Sequence, residues 1–112
     1  MSGLSRDLWQ QVRHVLLDCD ELTSTETLLA LFAVEELSPF RGGLPEANNR
    51  AARVEQSIGY LIRNRRTDGR NALVLFLEVL GKSRRPADVL HVALLSLAEA
   101  VARHVGHDDD PE

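Results

Sequence analysis

The run Ala72-Leu73-Val74-Leu75-Phe76-Leu77 most limits what this chain can fold into. From Asn71 to Leu80 only Asn71 and Glu78 are polar. An element so short and so apolar must be enclosed by neighbours on several faces. The preceding segment, 50–66, is basic, and its Val54, Ile58, Leu61 and Ile62 fall at i, i+4, i+7 and i+8, the stripe of an amphipathic helix. Thr67-Asp68-Gly69-Arg70 marks a turn between the two. A short apolar run also fits a buried strand, and Asp68-Gly69 has the chemistry of a hairpin turn. However, the Arg-rich segment with its 3.6-residue period cannot supply an alternating partner strand. Leucine and alanine also outnumber β-branched residues in the chain. The pattern therefore predicts a central helix at 71–80 with the remaining helices wrapped around it.

Those helices can be placed in order. The first runs from Arg6 to Leu17, with Ser5 as N-cap and Asp7 in the first turn. Its stripe is Leu8, Val12, Val15, Leu16 and Cys19, flanked by Trp9. Thr23 and Glu26 read as the capping box of a second helix that extends to Glu36. Two prolines and two glycines within 38–45 forbid a long helix there, and Phe40 and Leu44 are expected to pin that stretch. A fourth element spans Glu46–Arg66, and Gly81 fits the C-cap of the central helix. Lys82-Ser83-Arg84-Arg85 forms an exposed connector. Pro86 suits the first turn of a last helix ending near His104, with Asp88 at its positive end. The expected core is Leu8, Val12, Val15, Leu16, Leu28, Phe32, Val54, Ile58, Leu61, Leu73, Phe76, Leu77, Leu80, Leu90, Leu94, Leu97 and Val101. The expectation is an all-α chain, a compact antiparallel bundle of five to six helices, with one domain over 1–105 and a disordered acidic tail at 106–112.

At 112 residues there is material for one core but not two. No run approaches the ~20 apolar residues of a membrane span, and the N-terminus lacks a basic-then-apolar signal pattern. Cys19 is the single cysteine, which leaves no intrachain disulfide and fits a reducing compartment, so the cytoplasm is expected. The net charge of −4 hides an asymmetry. Residues 1–40 carry −5, residues 41–85 carry +6 with ten Lys or Arg against four Asp or Glu, and residues 86–112 carry −5. Such a chain can present faces of opposite sign.

Catalytic chemistry finds little support in these residues. His14 and Cys19 are five apart, on different faces of a helix, with no third group to orient them. His104 and His107 precede Asp108, Asp109 and Asp110, but a frayed tail does not preorganise metal ligands. His91 lies beside the apolar stripe of the last helix and reads as a surface or satisfied core histidine. Gly42-Gly43 lacks the preceding strand and following Lys-Ser or Lys-Thr of a phosphate loop. No enzyme, cofactor or metal site is expected. Two charged groups read either as solvated surface or as protein-contact surfaces: basic Arg63, Arg65, Arg66, Arg70, Lys82, Arg84 and Arg85, and acidic Asp18, Asp20, Glu21, Glu35 and Glu36. Phe40 and Leu44 are the candidates for an apolar contact between molecules. The alternative is a small nucleic-acid-binding regulator using the basic surface at 63–85. The acidic remainder of the chain and the scarcity of exposed aromatics count against it.

One resemblance sharpens this reading. Arg53-Val54-Glu55, Ile58 and Tyr60-Leu61, then Asp68-Gly69-Arg70, Ala72-Leu73, Leu75-Phe76-Leu77 and Leu80, then Pro86, Asp88 and Leu90 resemble the effector-associated, death-like domains of bacterial conflict systems. The likeness covers about residues 4–105. It implies a death-fold bundle whose third helix, near Phe40, is short or irregular. It also implies a non-enzymatic adaptor that joins an immune or signalling effector, such as a protease or TIR protein, to a sensor such as a STAND-type NTPase. Contact would be homotypic or like-with-like, giving homo-oligomers or filaments. The family offers no catalytic residues to carry over.

Overall fold

Asn71 sets the register of the central helix. Its side-chain oxygen accepts from Leu73 N at 2.9 Å while its Nδ2 donates to Ile62 O at 3.0 Å. One buried amide thus caps a helix start and ties it to the end of the preceding helix. In the computed structural model, which describes residues 6–22, 24–44, 47–66 and 69–108, this central element is α4 (Ala72–Lys82). The other α-helices are α1 (Arg6–Leu17), α2 (Thr25–Leu31), α3 (Arg50–Ile62) and α5 (Val89–Asp108). Single 3₁₀ helices follow α1 (Asp20–Leu22) and α2 (Ser38–Gly43). The described residues contain no strand, only an isolated antiparallel bridge between Arg65 and Asn71. The hairpin and helix readings of the turn therefore meet: one bridge closes the loop and the helix begins immediately after it. Gly69, at φ 92°, supplies the left-handed residue this closure needs.

Every residue from Asn71 to Leu77 is buried, as are Leu80 and Gly81. α5 packs along α4 on one side and α3 on another, while α1 closes over α3 and α5. Phe76 stacks on Phe32 of the segment after α2, with ring centroids 5.5 Å apart and planes 29° from parallel. Of the expected core, Leu8, Val15 and Leu90 are only partly buried against it, and the rest are buried. Cys19, Leu22, Leu37 and Phe40 join them.

Several boundaries differ from expectation, each for a local reason. α2 is capped by Ser24 instead of Thr23. The Ser24 hydroxyl accepts from Thr27 N and the Thr27 hydroxyl accepts from Ser24 N, both at 3.2 Å. The helix stops at Leu31, so Glu35 and Glu36 stand on turns that return Leu37 to the core. α3 begins only after Asn49, whose side chain accepts from Ala52 N at 2.8 Å, and it ends at Ile62. Gly81 is not a C-cap but lies inside α4, where an added Cβ would sit 2.8 Å from Leu95 Cδ2. Leu95 and Leu94 of α5 pack against it there. Pro86 precedes α5 in a turn, and Asp88 accepts from Leu90 N at 2.9 Å through its carboxylate. α5 then runs past His104 to Asp108. Ser5, Thr23, Pro45, Glu46, Thr67, Asp68 and 109–112 lie outside the described residues.

Candidate interaction surface

The basic residues divide into three groups, of which the sequence showed only one continuous block. Arg50 and Arg53 are consumed by the fold. Arg53 is 7% exposed, and its guanidinium donates to Leu22 O at 3.0 Å and Ala47 O at 3.1 Å. Arg50 donates to Cys19 O at 2.8 Å and stands 3.9 Å from Asp20. These two side chains fasten α3 to the turn after α1. The Arg53-Val54-Glu55 run is structural throughout, since Val54 is buried and Glu55 pairs with Arg13 of α1 at 2.9 Å.

The second group, Arg63, Arg65, Arg66 and Arg70, surrounds the α3–α4 turn. Arg65 donates to Gly69 O at 3.1 Å, and Arg70 pairs with Glu78 at 2.7 Å. Arg63 is exposed at the end of α3. The third group, Lys82, Arg84 and Arg85, occupies the α4–α5 corner. α4 separates these last two groups by its full length, about 16 Å at 1.5 Å per residue, and is itself almost wholly buried. The expected single basic surface at 63–85 is therefore two clusters at opposite ends of an interior helix. Nucleic-acid binding through that surface would need a continuous basic track, which this geometry does not supply.

The acidic residues are exposed where described. Asp18 and Asp20 stand after α1, and Glu35 and Glu36 after α2. The Glu21 side chain lies outside the described residues. Glu26, Ala30 and Ala33 are also exposed, opposite buried Leu28 and Phe32, so the outer side of 26–36 is small and acidic. Phe40 cannot serve as an apolar contact between molecules. It is 4% exposed, and Leu44 packs half-buried beside the same core. The Tyr60 hydroxyl donates to Phe40 O at 2.9 Å and holds that 3₁₀ helix to α3.

Among the described residues, the exposed large apolar side chains are instead Val89 (81%) and Val92 (60%), one turn apart at the start of α5. Exposed Lys82 and Arg85 belong to the same α4–α5 corner. Hydrogen bonds hold this corner in shape: Ser83 N to Val79 O, Arg84 N to Gly81 O, Asp88 N to Arg85 O and His91 N to Asp88 O, at 2.9–3.1 Å. His91 Nδ1 donates to Gly81 O at 2.8 Å, since a carbonyl can only accept. Two protruding valines on a fixed, positively charged corner can seat on an apolar spot within an acidic surface. His14 is exposed, and Cys19 is buried with its thiol near Val15 O, so the two do not form a nucleophile–base pair. Among the described residues no three His, Cys, Asp or Glu side chains gather to hold a metal, and no helix is long and apolar enough to cross a membrane.

No curated protein and no solved structure matches the chain. The family model described as Bacterial Death-like domain 1 matches residues 1–102, nearly the whole of this helical bundle, and the chain accordingly belongs to that bacterial death-like domain family.

Proposed function

We propose that this domain is a non-enzymatic adaptor that assembles a bacterial immune or signalling effector with its sensor through contact between like domains, in the cytoplasm. The observation that carries this reading is the family match across residues 1–102. The surface supports it, because exposed basic and acidic residues stand in separate groups on one body. In this reading the sensor is a STAND-type NTPase and the effector a protease or TIR protein, each bearing a death-like domain. Calorimetric titration of this domain against other bacterial death-like domains, and against itself by dilution, tests the proposal. The expected result is saturable binding to at least one of them, weakened by salt because the rims are charged. Absence of binding to every like domain, this one included, would refute it.

A further inference from the structure

We infer that the α4–α5 corner of one molecule docks on the acidic outer side of 26–36 in a second copy of this chain. The inference rests on the adaptor reading and goes further, naming the surface and its occupant. Val89 and Val92 are exposed apolar side chains on a helix whose Leu94, Leu97 and Val101 already fill the core. They therefore add nothing to the fold that a polar residue would not. Lys82 and Arg85 belong to the same corner, and neither makes an ion pair with a described residue. The one carboxylate of the corner, Asp88, is engaged by Leu90 N.

Charge complementarity selects the occupant. A basic rim around an apolar point is matched by acids around small side chains. The same chain offers that arrangement at Glu26, Ala30, Ala33, Glu35 and Glu36, all exposed. The alanines leave room for the valines, and the glutamates can meet Lys82 and Arg85. Because the two patches differ, the contact is heterologous. A pair joined this way retains one unused patch of each kind, one on each molecule, so copies add head to tail into a ring or an open helical filament. The other basic cluster is less suited, since Arg65 is engaged by Gly69 O within its turn and Arg70 by Glu78 of α4.

Light scattering on the purified domain at low salt tests the contact. The wild type should form assemblies larger than a dimer. Val89→Ser/Val92→Ser, Lys82→Glu/Arg85→Glu and Glu35→Lys/Glu36→Lys should each be folded by circular dichroism yet monomeric. Mixing the last two variants should restore assembly, since each reversed patch then finds its complement on the other protein. Arg63→Glu, at the far end of α4, should assemble like the wild type. A wild type that stays monomeric overturns the second-copy occupant, and if it still binds another like domain the adaptor reading survives. Assembly that persists in the serine variant, that is lost in Arg63→Glu, or that fails to return on mixing overturns the assigned surfaces.

Discussion

Replacing Phe76 with alanine should remove a large fraction of this domain's stability. Phe76 is fully buried in α4 and stacks on Phe32 at 5.5 Å. Truncating a buried phenylalanine costs about 3–5 kcal/mol, since transfer and cavity terms add. Here the cavity would open beside a helix enclosed by its neighbours, with little freedom to collapse, which favours the upper half of that range. The Phe32–Phe76 pair should contribute about 0.5–1.5 kcal/mol beyond burial, readable as the coupling in a cycle of Phe32→Leu and Phe76→Leu. Domains of this size hold about 5–15 kcal/mol in total, so the variant should melt on the order of 12–20 °C lower, at roughly 4 °C per kcal/mol. Urea unfolding followed by circular dichroism measures the loss, with an unchanged m-value as the check that the same transition is compared. A loss below about 1 kcal/mol, outside what a filled core allows, would refute the placement of α4 at the centre.

Two further substitutions test side chains whose roles come from the structure. Arg53→Met keeps the stem but strips charged donors from Leu22 O and Ala47 O. Each such bond is worth about 1.5–3 kcal/mol, offset in part by no longer burying a charge, so a net loss of about 2–4 kcal/mol is expected. Arg63→Met, at an exposed site, should stay within about 0.5 kcal/mol of wild type. Equal effects of the two in urea unfolding would contradict the clamp. Ser57 is fully buried on α3 and its hydroxyl has no hydrogen-bond partner among the described residues. Ser57→Ala should therefore stabilise the domain by about 1 kcal/mol, and a lowered melting temperature would show that the hydroxyl is satisfied after all.

The centre of the fold was legible because nothing but enclosure explains ten residues as apolar as 71–80. The first helix was equally plain, since its stripe and its charged outer positions agree. The start of α3 was misplaced because Glu46 and Ala47 are acceptable helix formers, and only the cap from Asn49 to Ala52 N decides between them. Gly81 misled for a related reason. A glycine after an apolar run reads as a stop, but here it accommodates Leu95. Buried arginines are the hardest to foresee, because charge alone places a residue outside and one of the carbonyls that receive Arg53, that of Leu22, is far away in sequence. The contact corner did leave a signal. Val89 and Val92 fall off the stripe of Leu90, Leu94, Leu97 and Val101, and adjacent apolar side chains on the outer side of an amphipathic helix mark a candidate contact. Phe40 reads as such a contact because its Pro- and Gly-rich setting resembles a loop, whereas its ring completes the core.

The central claim is that two different surfaces of one domain meet between copies, and amide hydrogen exchange tests it most directly. Exchange is compared residue by residue between a dilute, high-salt monomer and the concentrated, low-salt assembly. The account predicts added protection in two separate stretches, 82–92 at the α4–α5 corner and 26–36 at the acidic face, with both lost together in Val89→Ser/Val92→Ser. Protection confined to one stretch, as in a symmetric dimer, or centred on 63–70 would contradict it.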